Sequence, residues 1–182
     1  DENGRLVFDG LIPHVSGARR GNFNVRFGQP SLTLGQGVGL LFPFSDVAQT
    51  DPVTGKTDGL LARLTARDKA PKIFFTNSSS EYWGDGHKTS GGQASLTHTN
   101  IDGTQDLEPL ETTRIYHLAG TQHGSGMLPL EYARPDGTKG RHPMNSVDYR
   151  PLMRAALLNL DRWVSEGIEP PPSQHARLDK ST

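Results

Sequence analysis

Residues 112–126 read TTRIYHLAGTQHGSG, and the reading of this stretch decides the fold. Residues 114–118 alternate and are rich in β-branched and aromatic types, which predicts a short strand. Ala119, Gly120 and Thr121 break the pattern and present Gln122 and His123 just past the strand's end. Gly124 and Gly126 then let the backbone turn sharply and approach a ligand closely. A histidine on a glycine-rich loop at the carboxyl end of a strand stands where open α/β sheets bind their ligands.

Two further apolar runs supply neighbours for that strand. Residues 5–12 (RLVFDGLI) and 72–77 (KIFFTN) are near-continuous hydrophobic segments, as expected of parallel strands covered on both faces. Between them, residues 17–46 hold scattered aromatics and many glycines without a period, which reads as a long excursion or lid over the sheet. A short helix is expected over 59–67, with Leu60, Leu61 and Leu64 on one face. Residues 85–109 are polar and glycine-rich and read as loop. The clearest helix covers 147–166, where Leu152, Met153, Ala156, Leu157, Leu160, Trp163 and Val164 recur at helical spacing. Ser146 or Asp148 suits its start, Pro151 its first turn and Gly167 its end. Its Leu157, Leu160 and Val164 are expected to pack on the sheet. The pattern is α/β: a mostly parallel sheet with flanking helices in residues 1–170, then a polar tail over 171–182.

Composition bounds the function. The 182 residues suffice for one domain with a real core. A net charge of −1 gives no reason to expect nucleic acid or an anionic membrane as partner, and no apolar run approaches a membrane span. Without cysteine there is no disulfide and no thiol catalysis. Glycine (21) and proline (13) make the chain loop-rich, and long ordered loops in a small domain are usually functional.

The next question is which acid serves the histidine. Glu81 follows the second strand after three serines, in the order in which α/β-hydrolases present an acid and then a histidine. In that fold the serine nucleophile comes earlier, on an elbow reading G-x-S-x-G. No such elbow occurs here: neither Ser125 nor any of Ser78 to Ser80 has glycine two residues away on each side. The nucleophile is therefore expected upstream of Asp1, in a longer protein. Asp102 and Asp106 compete as acids, since they also fall between the two strands.

Four blocks carry a family resemblance: FDGLIPHVSGARRGNFNVRFGQPS (8–31), PKIFFTNSSSEYWG (71–84), TRIYHLAGTQHG (113–124) and DYRPLMRAALLNLDRWVSEGIEPPPS (148–173). Together they resemble the C-terminal part of the bacterial α/β-hydrolase domain family, whose members are regarded as serine hydrolases or esterases. The resemblance covers nearly the whole chain. It implies the C-terminal portion of an α/β-hydrolase fold, an upstream serine, and Glu81 and His123 as acid and base. It further implies a small-molecule ester as substrate, no cofactor, and a missing N-terminal half, or another subunit, covering the sheet. Localisation stays open between secreted or periplasmic and cytoplasmic.

Other residues have both a functional and a bland reading. His14 could line the site or be a satisfied core histidine. Arg20, with Arg19 and Arg26, could grip an anionic substrate group or form a solvated cluster. Tyr82 and Trp83 could wall an acyl or aryl pocket or simply pack beside Glu81. Gln122 could touch substrate or only position His123. A metal site built from His87, His98, His117, His123 and Asp102 or Asp106 matches no tight ligand spacing, so no metal is expected. Two alternatives to the serine hydrolase remain: a hydrolase-like binding module without a nucleophile, and a metal-dependent hydrolase.

Overall fold

The computed structural model describes residues 5–18, 42–83, 93–133, 137 and 139–178. In chain order the elements are β1 (Gly10–Leu11), β2 (Gln49–Thr50), β3 (Thr57–Asp58), α1 (Ala62–Thr65), β4 (Lys72–Ser78), α2 (Ser79–Trp83), β5 (Thr113–Leu118) and α3 (Arg150–Glu166). Arg19, Arg20, Arg26 and His87, with most of the expected excursion, lie outside the described residues.

β1, β4 and β5 are neighbours in one parallel sheet with β4 in the centre. The β4–β5 register runs from Ile73 opposite Thr113 to Ser78 opposite Leu118, so the two strands end level. β4 alternates as a doubly covered strand must. Ile73 and Phe75 pack with Ile115, Leu61, Leu11 and Leu110 on one face. Phe74 packs with Leu160 and Trp163 of α3, and with Ile12, Tyr116 and Ala156, on the other. Each such side chain taken from water contributes about 1.5–3 kcal/mol before entropy is counted. Gly10 matters here for its missing side chain: a Cβ would lie 3.0 Å from Leu160 Cδ2 and 3.2 Å from Val164 Cγ2. α3 therefore sits directly against the β1 backbone.

Several boundaries differ from the sequence reading. The first strand is regular only over Gly10–Leu11, and Leu6, Val7 and Phe8 are exposed rather than buried. The register explains this, because Gly10 pairs with Lys72, the first residue of β4. Residues 6–8 would face the turn after α1, where Asp68 has φ 53° and no ladder can form. α1 is a single turn, too short for a three-leucine face, and only Leu61 is buried. On α3, Trp163 takes the core place expected of Leu157, which is exposed. The large ring stacks on Phe74 (centroids 5.8 Å apart), with Lys72 and Arg114 over its faces.

The expected loop at 85–109 contains a 3-10 turn, Ala94–Thr97, and a bridge between Thr99 and Asp106. Residues after Pro170, expected to leave the fold, run parallel to β5 as a strap. His117 N–H donates to Gln174 O and Gln174 N–H to Ile115 O, both at 2.8 Å. Tyr116 Oη donates to Pro171 O at 2.7 Å. No helix among the described residues is long and apolar enough to cross a membrane.

Candidate active site

The level ends of β4 and β5 bring two loops together at one edge of the sheet. α2 starts directly after Ser78, so each of the three serines faces a different neighbour. Ser78 Oγ donates a short hydrogen bond to Glu81 Oε2. Ser79 Oγ accepts Gly120 N–H at 3.0 Å and lies 3.0 Å from His117 Nε2. Ser80 Oγ accepts His123 N–H at 3.3 Å. Glu81 falls in the first turn of α2, where a carboxylate is compatible with the helix dipole.

His123 Nδ1 lies 2.6 Å from Glu81 Oε1. The carboxylate side chain is 12% exposed and the imidazole 64%. One Glu81 oxygen thus binds Ser78 and the other the imidazole, while His123 Nε2 has no hydrogen-bond partner among the described residues. Gly120, with φ 73°, makes the left-handed turn that starts the histidine loop.

The far side of this loop is held by the approach to α3. Tyr149 Oη donates to His123 O at 2.6 Å, and Asn145 Nδ2 donates a short bond to Gly120 O. Neither residue stood out in the sequence, because only long-range geometry links them to the site. The string NSSSE was the one visible sign of the serine arrangement.

His14 reaches the same neighbourhood. Its Nδ1 lies 2.9 Å from Thr76 Oγ1, and its ring meets Tyr149 edge-on at 5.4 Å. Burial lowers the His14 pKa below 6.5, against the upward pull of the Glu81 charge, so the ring is neutral at pH 7. Next to it Val15 has φ 48°, a strained conformation for a β-branched residue, with its N–H on Thr76 O at 2.8 Å. Gln122 is turned onto its own loop, donating to Gly124 O at 2.6 Å. Tyr82 is buried, only 2% exposed, with its hydroxyl 2.7 Å from His98 Nε2. Trp83 is exposed and sits edge-on to Tyr82 and His117.

The competing acids do not reach His123. Asp102 lies in an exposed turn. Asp106 faces His98, Oδ1 to Nδ1 at 3.6 Å, and its Oδ2 accepts Leu178 N–H of the strap at 2.8 Å. Burial first, then the neighbouring His175, drives the His98 pKa down to about 4. No group of three or more His, Asp or Glu among the described residues is placed to hold a metal ion.

A family model for an alpha/beta hydrolase domain matches residues 1–182, the full length. The chain belongs to the alpha/beta hydrolase domain family. No match to it was found among curated proteins or among solved structures. Family membership points this hydrolase domain to hydrolysis as its activity class. It agrees with the parallel sheet carrying an acid and a histidine beyond its strands.

Proposed function

We propose that this hydrolase domain supplies the acid and base of a serine-dependent ester hydrolase, and that the nucleophile comes from a segment upstream of Asp1. The observation that carries the proposal is the 2.6 Å approach of Glu81 to His123 Nδ1 beside an exposed imidazole edge. Held by the carboxylate, Nδ1 keeps its proton and Nε2 is the basic nitrogen. Nε2 then takes the proton of a serine hydroxyl as the hydroxyl attacks an ester carbonyl, and later returns it to the leaving alcohol. Glu81 stabilises the imidazolium between these steps, and Ser78 fixes the carboxylate.

The same upstream segment is proposed to cover the exposed Leu6, Val7 and Phe8 beside the β1 edge. His14, a neutral ring beside Glu81 and His123, is proposed as a substrate-facing residue.

Fluorophosphonate labelling of the intact protein tests this reading. Labelling should occur, and His123→Ala should abolish it together with ester hydrolysis. A folded protein that neither labels nor cleaves esters would leave a hydrolase-like binding module instead.

A further inference from the structure

Three backbone segments line a half-open cavity of about 280 Å³ beside His123. The first is the histidine loop itself, 122–127; the others are 131–133 and Met144. Gly126 N–H donates to Asn145 O at 2.7 Å and Met144 N–H to Glu131 O at 2.8 Å, so the walls are tied together by their backbones. A side chain at Gly126 would come within 2.9 Å of Met144 Cβ, so glycine there allows the close packing that forms the floor.

The wall is mostly apolar. Met127, Met144 and Ala133 supply apolar side chains, the glycines supply none, Ser125 adds one hydroxyl, and the Gln122 amide is already bonded to Gly124 O. Glu131 is a carboxylate in the lining and disfavours an anionic occupant. The apolar character continues outward. Met127 and Leu128 are each 77% exposed, and Leu130 and Tyr132 are exposed beside them. Large apolar side chains at this density on one loop mark a binding surface more often than a bare surface. Methionine suits such a wall, because its unbranched thioether adapts to varied shapes.

We propose that this cavity receives the uncharged apolar arm of the ester substrate, holding the carbonyl against His123. The inference rests on the hydrolase reading above and names its substrate class: esters with one medium-length apolar chain or ring. His123 is itself part of the wall, so an occupant of the cavity lies against the proposed base. The volume falls just under the ~300–1,000 Å³ of pockets that hold drug-sized ligands, so one chain fits and a polymer segment does not. The acyl chain and the alcohol chain share this chemistry, and the substrates below separate them.

The chain has three methionines, and they form an internal control. Met127 and Met144 line this cavity, whereas Met153 lines a separate apolar groove between α3 and the sheet. In the intact protein with 13C-methyl methionine, assigned through Met→Leu variants, 1-octanol should shift the Met127 and Met144 signals more than Met153. Shifts confined to Met153, or none at Met127 and Met144 because another part of the protein fills the cavity, would overturn the inference. Hydrolysis gives the second arm. Either methyl octanoate or octyl acetate should be preferred over methyl acetate at least tenfold in kcat/KM, and Met144→Trp should erase that preference. A preference that survives Met144→Trp, or no preference at all in an enzyme that labels with fluorophosphonate, would sink the cavity while leaving the hydrolase reading intact. Met127 and Met144 shifts in a protein that does not label would keep the cavity and sink the hydrolase reading.

Discussion

Glu81 and Tyr82 are adjacent in α2 and each meets a histidine, yet the two pairs have opposite surroundings. Glu81 holds His123 at 2.6 Å with the imidazole 64% exposed. Tyr82 holds His98 at 2.7 Å, both residues 2% exposed, with Asp106 beyond and the His175 ring stacked on His98. In both places a histidine has one nitrogen fastened by a neighbour. Only His123 leaves the other where a substrate can reach it. The difference lies in exposure: a histidine beside a carboxylate is open to chemistry only where its second nitrogen stays accessible. The buried cluster instead braces α2 from behind, so the helix that carries Glu81 has a fixed back.

The contrast is sharpest in two neighbouring substitutions. Glu81→Gln in the intact protein should lower turnover by about 10⁴-fold while melting stays nearly unchanged, because the amide supports the wrong imidazole tautomer. If the proposed acid and base belong to one triad, the double variant with His123→Ala should be scarcely worse than His123→Ala alone, because members of a triad act as a unit. Tyr82→Phe should do the reverse. It strands the buried His98 Nε2 and should cost about 1–3 kcal/mol of stability, measured by denaturant unfolding, with fluorophosphonate labelling retained below the transition. Loss of labelling in a stable Tyr82→Phe protein would break the comparison.

Acid provides a second route to the buried pair. His98 titrates near 4 in the folded protein against 6.5 ordinarily. As pH falls through 6.5 the unfolded chain takes up a proton that the folded chain refuses until about 4, so stability drops across that window. At 1.36 kcal/mol per pH unit the loss reaches at most roughly 3 kcal/mol. The lowered His14 and His117 act in the same direction. Unfolding measured between pH 7 and 4 should show this slope, and His98→Phe should flatten it; an equal slope in that variant would refute the assignment.

Smaller effects belong to the backbone. Gly10→Ala should cost about 1–3 kcal/mol by pushing Leu160 off β1. Val15→Gly should be close to neutral or slightly stabilising, because relief of the strained φ offsets the entropy glycine adds to the unfolded chain. A large loss there would mean that the Val15 side chain matters more than its backbone.

These features differ in how far the sequence reveals them. β4 was legible because a doubly covered strand writes its burial directly into composition, as Ile73, Phe74 and Phe75 do, and β5 because its alternation and β-branched and aromatic residues mark a strand. The ends of β1 were not, since Leu6, Val7 and Phe8 are as apolar as Leu11 but have no strand to pair with. On α3 the helical period identified the helix, while the choice between Leu157 and Trp163 depended on where Phe74 stands in the sheet. Strand order placed Glu81 and His123 beyond neighbouring strands with Asp102 and Asp106 as rival acids, and the family resemblance favoured Glu81; the 2.6 Å contact joins the two. The Tyr82–His98–Asp106 cluster and the Tyr149 tie to His123 could not, because each joins residues far apart in sequence through side chains with no local pattern.

The strap over residues 171–178 closes the outer edge of β5. An edge strand such as β5 would otherwise offer Ile115 O and His117 N–H as a template for another chain, the usual seed of sheet-to-sheet aggregation. Gln174 occupies both groups, and Ser173 Oγ takes the Ile115 N–H at 3.0 Å. The strap is entered through Pro170, Pro171 and Pro172, three residues without an amide proton, so it makes a poor template for a further strand. A protein cut back to Pro170 should therefore show its defect first as concentration-dependent association.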